Sequence, residues 1–340
     1  MPSRDIVAGV ALLAVVAYGV FAGADFGGGV LDALARGERK DAQREAIAKA
    51  MGPVWEANHV WLIFAVVLLF TAFPVGYAAL SVGLWAPFHL ALVGISLRGA
   101  AFVFRGYGVL DPEGRRRWGT VFGVASAITP VILGMALGAV SSGRLRVVNG
   151  EVRPDGVVWL TPLTVAMGLL ALAICAYTAA VFLTNETAGE LREDFRRRAL
   201  EAGTATVALS AITLPVTASE APHLWEGLTH GRALPVLIAG TVAALASGLS
   251  LRWRRWRAAR AASVAQVALV LSGWGLAQHP YLIFPDVTLE QAAAPEATLR
   301  FLLAAVPCGM AVLLPSLWLL FRVFKRGGSA SADQRGSSRP

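Results

Sequence analysis

The sequence predicts an all-α polytopic membrane protein of nine transmembrane helices, N-terminus outside and C-terminus cytoplasmic. Three observations lead there. Of its 340 residues, 56% are hydrophobic and only 15% are charged, against roughly 25% charged in a soluble globular chain. The apolar residues gather in runs long enough to cross ~30 Å of hydrocarbon as helix, near residues 5–33, 54–77, 79–104, 116–139, 158–184, 197–217, 233–251, 259–279 and 299–323. The basic residues then fall in every second connection, as they do when cytoplasmic loops collect Lys and Arg.

The first run ends in a small-residue stretch, Ala22-Gly23-Ala24, that resembles a cleavage site. Its n-region holds only Arg4, offset by Asp5, and the apolar stretch is long for a signal peptide, so 5–33 reads as the first span. The first connection carries Arg36, Arg39, Lys40, Arg44 and Lys49, and the third Arg105, Arg115, Arg116 and Arg117. The fifth carries Arg192, Arg196, Arg197 and Arg198, the seventh Arg252, Arg254, Arg255, Arg257 and Arg260, and the tail Arg322, Lys325, Arg326, Arg335 and Arg339. Most of the 30 basic residues therefore lie on one side, and the net charge of +8 needs no nucleic acid to explain it.

Within the first connection, residues 38–50 read as a charged amphipathic helix, lying along the cytoplasmic membrane surface or simply solvated. Residues 140–157 form an outside loop in which Asn149-Gly150 offers a tight hairpin turn. Residues 1–326 make a single transmembrane domain, and the Gly/Ser-rich tail 327–340 is expected to be disordered. Cys175 and Cys308 sit in apolar runs without Cys or His at ligand spacing, so a disulfide framework or zinc site is not expected.

Four ionisable groups fall inside these runs. Gly52-Pro53-Val54-Trp55-Glu56-Ala57-Asn58-His59-Val60-Trp61 opens the second span. Pro53 suits a first helical turn, and Glu56 and His59, three apart, share a face. Asp25 lies ~12 Å from the cytoplasmic end of span one, Glu56 and His59 ~5–9 Å deep, and Arg98 ~10 Å above Arg105 at 1.5 Å per residue. All four converge on the cytoplasmic third of the membrane, where ionisable groups mark a functional site by default. Arg98 either snorkels toward water or pairs with Asp25 or Glu56; in the second case one carboxylate is a counter-ion and the other is free to carry protons. The glycines at 27–29 permit close approach of another helix or of a flat ligand. His89 falls near mid-membrane and reads as a packed core histidine, while Trp55, Trp61 and Trp85 read as packing or interface anchors. A second dense stretch, Gly273 to Tyr281, offers Trp274, Gln278, Pro280 and Tyr281 as an outer loop that docks on a partner or makes a rigid turn.

Three of these motifs resemble subunit II of the cytochrome bd-type quinol oxidases: Gly-Ala-Asp-Phe-Gly-Gly-Gly at 23–29, Gly-Pro-Val-Trp-Glu-Ala-Asn-His-Val-Trp-Leu-Ile at 52–63 and Arg-Gly-Ala-Ala-Phe-Val-Phe-Arg at 98–105. Gly-Trp-Gly-Leu-Ala-Gln-His-Pro-Tyr at 273–281 fits the same family. The resemblance implies two four-helix bundles plus one extra helix, and a heterodimer with a similar-looking subunit I. In that family subunit I ligates two b-type haems and haem d and binds quinol, so no cofactor is expected on this chain. It also implies a supporting role with a proton or oxygen access route here, with small accessory membrane peptides and quinone as further partners of the complex. Glu56 matches the family's intramembrane acid, where many members have Asp; His59 stands where others carry a different side chain. On the residues alone a secondary transporter with a buried Asp/Glu/Arg site stays open, although paired Gly/Pro-broken segments in corresponding halves are not evident. So does a structural scaffold without a proton route.

Overall fold

A computed structural model describes residues 2–108 and 111–336; side chains at 53, 56, 106, 107, 321 and 323–336 lie outside the described residues. Helix α1 (Ser3–Ala33) is followed by α2 (Lys40–Ala72), α3 (Pro74–Gly83), α4 (Trp85–Tyr107) and α5 (Pro112–Ser141). A hairpin of β1 (Leu145–Val148) and β2 (Glu151–Pro154) leads to α6 (Pro162–Glu186), α7 (Gly189–Glu220), α8 (Pro222–Thr229), α9 (Leu234–Arg252) and α10 (Trp256–Gln278). Strands β3 (Tyr281–Ile283) and β4 (Val287–Thr288), the single turn α11 (Leu289–Ala292) and α12 (Glu296–Gly336) complete the chain.

Eight of these helices are long and apolar enough to cross a membrane: α1, α4, α5, α6, α7, α9, α10 and α12. A bent pair, Lys40–Gly52 with Ala57–Ala72, meets at 46° and makes a further candidate when taken as one span. The charged stretch at 38–50 runs into the second apolar run through this bend. Its inner edge is Gln43, Ile47 and Met51; the latter two pack into a core with Leu31, Tyr177 and Phe195.

Prolines set the boundaries that differ from the sequence reading. Pro74 and Pro87 have no N–H to donate one turn back, so helix ends at Ala72 and again at Gly83, with Leu84 (φ −113°, ψ 29°) as the joint. The run expected at 79–104 is therefore split, and α4 begins only at Trp85. Elsewhere, caps do the positioning. Asp111 accepts from the Gly114 N–H at 2.8 Å with Pro112 in the first turn of α5, and Thr161 with Thr164 forms a capping box before Pro162 in α6. The hairpin turns at Asn149 (φ 53°) and Gly150 (φ 79°), as that dipeptide predicts.

Helix α1 is the centre of the packing, touching α2, α5, α6, α10 and α12. The glycine run serves this packing: a methyl group at Gly27 would overlap the backbone carbonyl of Cys175 in α6, while Gly28 faces Met51 of α2 and Gly29 faces Ser126 of α5. Three successive glycines seat three helices. The flat-ligand alternative has no room there.

The two ends of the helix array are tied differently. At one end Arg39 bridges Asp194 and Glu190, Arg198 donates to the carbonyls of Leu31 and Leu34, Arg196 to that of Leu251, and Arg260 pairs with Glu186. These bonds tie α7 to the 34–39 connection and to the end of α9, and α10 to the end of α6. At the other end Arg4 pairs with Glu290, Ser3 donates to Glu296, and Arg146 grips Asp286 through two bonds of 2.7 and 2.9 Å.

Candidate functional site

Two ion pairs rise like rungs between α1 and α4. Arg98 donates from Nη2 to Oδ1 and to the backbone carbonyl of Asp25, and from Nε to Ser126 Oγ at 3.1 Å. Seven residues on, Arg105 clamps Asp32 through two bonds of 2.8 and 3.2 Å. Both rungs join residues 73 apart, so a heptad step on α1 meets a heptad step on α4, two helical turns on the same face of each. Helix α5 lies against both helices and fills the ladder: Phe122 packs beneath both guanidiniums, 5.1 Å from Arg98 and 5.4 Å from Arg105, and Phe26 faces Arg98 at 5.2 Å. The rungs differ in burial. Asp25 is 0% and Arg98 2% exposed, whereas the Arg105 side chain is 24% exposed.

Arg98 thus does not snorkel. Its counter-ion is Asp25, one of the two partners open to it on sequence. Asn58 of α2 completes the pair by donating to Asp25 Oδ2 at 3.2 Å. The remaining oxygen of Asn58 and the Tyr18 hydroxyl, one heptad before Asp25, are buried without a described partner. The Glu56 side chain lies outside the described residues; its position falls at the bend of α2. His59 is half-buried, with Nδ1 2.8 Å from the Trp55 carbonyl and its ring edge-on to the Trp55 indole at 5.2 Å. The Trp55 and Trp61 indole nitrogens are buried, also without a described partner.

His89 is not a packed core residue. The joint at Leu84 puts it in the first turns of α4, exposed, with Nδ1 on the Trp85 carbonyl at 2.8 Å. The two histidines sit on separate helices with different exposure, Cys175 is packed against the glycine run, and among the described residues no three His, Cys, Asp or Glu side chains gather as a metal site. At the far end, Trp274 Nε1 donates to Ser141 Oγ at 2.8 Å and Gln278 Nε2 to the Val140 carbonyl at 3.4 Å. Both side chains bond within the chain, Tyr281 packs on His223 and Phe284, and Pro280 alone of the four is exposed.

Sequence reasoning missed Asp32, Ser126 and Phe122. For Asp32 the signal was present: Asp25/Asp32 and Arg98/Arg105 carry the same spacing of seven.

The fold has a solved counterpart: the bd oxidase from Geobacillus thermodenitrificans superposes with a TM-score of 0.80 at 24% identity, covering 95% of this chain and 99% of that one. The chain is 29% identical over 190 residues to the cytochrome bd ubiquinol oxidase subunit 2 of Bacillus subtilis (strain 168), a match covering 55% of each chain. It is 27% identical over 202 residues to the cytochrome bd-I ubiquinol oxidase subunit 2 of Escherichia coli (strain K12), covering 58% of this chain and 52% of that one. The chain thus matches about half the length of each of these two relatives. A transporter finds no support in these similarities. The family profile described as cytochrome bd terminal oxidase subunit II matches residues 3–324. With that match over nearly its whole length, this multi-pass cell-membrane protein belongs to the cytochrome bd terminal oxidase subunit II family.

Proposed function

We propose that this chain is the subunit of a quinol:oxygen oxidoreductase that ligates no haem. It supports a subunit I that carries two b-type haems and haem d and oxidises quinol. It crosses the membrane nine times, with the bent α2 as the ninth span, N-terminus outside and C-terminus cytoplasmic, in two four-helix bundles plus one helix. The arginine-rich end is then the cytoplasmic one. Family membership supports this reading, and the test is spectroscopic. Co-expressed with its neighbouring subunit, the chain should co-purify with haem visible in a reduced-minus-oxidised spectrum; purified alone it should carry none. Haem retained by the isolated chain and lost on replacing His59 or His89 would refute it.

Within that complex we assign this chain a proton route entered at Glu56. One observation carries it: Asp25 and Asp32 already serve as the counter-ions of Arg98 and Arg105, which leaves Glu56 as the remaining carboxylate of the cluster. Reduction of oxygen consumes protons, and a buried site receives them through polar side chains or water. The open polar atoms of Asn58 and Tyr18 suit bound water, which commonly satisfies such groups. Glu56→Gln should slow quinol oxidation with haem content intact, and Glu56→Asp should largely restore it. Unchanged turnover in Glu56→Gln, or loss of assembly, sinks the route.

A further inference from the structure

A cleft of about 950 Å³ opens at the arginine-rich end, between the last turn of α1, the first turns of α2 and the first turns of α5. Four arginines line it, Arg44, Arg105, Arg115 and Arg116, against two aspartates, Asp32 and Asp41. Arg105 is taken up by Asp32, and Arg44 reaches only the Asp32 backbone carbonyl, through Nε at 3.4 Å. No described residue pairs with the guanidiniums of Arg115 and Arg116, which are exposed. The cleft is therefore a positively charged hollow with donors to spare, which selects an anion.

Its other wall selects the kind of anion. Val124 lies eight residues beyond Arg116 on α5, ~12 Å deeper along the helix axis at 1.5 Å per residue. Val124 and Leu34 line the same cleft and are 51% and 59% exposed. A soluble phosphate would use the arginines and leave this apolar wall bare. A phospholipid uses both, with its phosphate at the guanidiniums and its acyl chains along Val124 and Ala127, and basic pockets between membrane helices hold headgroups in this way. We infer that the α1–α2–α5 cleft binds the phosphodiester of an anionic membrane lipid.

The experiment uses the delipidated full chain with its co-purified partner. Phosphatidylglycerol and phosphatidylcholine are titrated in turn, and bound lipid is counted by native mass spectrometry. Each arginine near an anionic headgroup strengthens binding by about fivefold, so Arg115→Gln/Arg116→Gln should weaken one phosphatidylglycerol site by roughly 25-fold. Both side chains are exposed, so the variant should keep the wild-type gel-filtration profile. In the unaltered protein, a photoreactive phosphatidylglycerol should cross-link within residues 112–127, a readout that does not depend on any variant folding. Equal affinity of variant and wild type, equal binding of phosphatidylcholine, or a cross-link confined to other helices would each overturn the inference. So would full displacement of the lipid by millimolar inorganic phosphate, which would make the cleft a site for soluble anions.

Discussion

Removing the Arg98 charge should be the most damaging polar substitution in this chain. Arg98→Gln leaves the Asp25 carboxylate buried with only the Asn58 bond, because both bonds from Nη2 are lost. Breaking a buried pair by deleting one partner costs about 3–5 kcal/mol. That corresponds to roughly two to four powers of ten in the folding equilibrium. The same change at the shallower rung should cost less, about 1.5–3 kcal/mol: Asp32 is also buried, but its Arg105 partner is 24% exposed, so water can replace part of what is lost. The double substitution Arg98→Leu/Asp25→Leu removes both charges at once, and such apolar replacements are often close to neutral. A double-mutant cycle should then give a coupling of at least about 2 kcal/mol between positions 25 and 98. Unfolding in graded SDS, followed by tryptophan fluorescence, measures the four corners of the cycle (wild type, Arg98→Leu, Asp25→Leu and the double) together with both Gln variants. Additive losses at 25 and 98, or an Arg105→Gln cost equal to that of Arg98→Gln, would refute the claim that burial sets the strength of these rungs.

Three further outcomes are expected. Gly27→Val should abolish stable folding because its side chain meets the Cys175 backbone, whereas Gly52→Ala, whose Cβ would meet no described residue within 4 Å, should be tolerated; membrane-inserted, protease-resistant yield measures both. The Asp286 carboxyl is held below the usual range, first by its bond to Arg146 and also by the Val147 N–H, with partial burial opposing. Its folded pKa is below its unfolded one, so its stabilisation is complete above the ordinary Asp range and is lost as pH falls through the lowered value. Proteolysis of the 142–160 loop should accelerate on acidification, and Asp286→Asn should be cleaved readily at neutral pH with a weaker acid response. For topology, reporter fusions after Arg117 and after Glu290 should read cytoplasmic and external respectively, and the same side for both would break the nine-span arrangement.

Eight spans were legible because each is a long apolar run, which is a local property. Their joints were less so. Pro74 and Pro87 are visible in the sequence, yet the break at Leu84 needs both to act within one continuous apolar stretch, and missing it misplaced His89. Convergence of Asp25 and Arg98 followed from counting helical rise, and the structure brings the two into contact, with Asn58 joining them as a partner the counting had not included. What helical rise cannot tell is which carboxylate faces Arg98, because that depends on rotation of α1 and α2 about their axes. The matched heptads of Asp25/Asp32 and Arg98/Arg105 do encode that rotation. Ser126 and Phe122 had no such signal, since a serine and a phenylalanine in an apolar helix look like any others.

The 73-residue separation of Asp25 from Arg98 has a consequence for biosynthesis. At about 5–20 residues per second, the ribosome reaches Arg98 roughly 4–15 s after Asp25. Throughout that interval the nascent first helix holds a carboxylate with no cation to meet it, at an insertion cost of about 2.5–3.5 kcal/mol. Leu, Ile, Val and Phe each favour insertion by about 0.3–0.6 kcal/mol, and α1 is rich in them. Its apolar excess therefore does more than line the protein's centre. It carries the aspartate into the bilayer before its arginine has been translated.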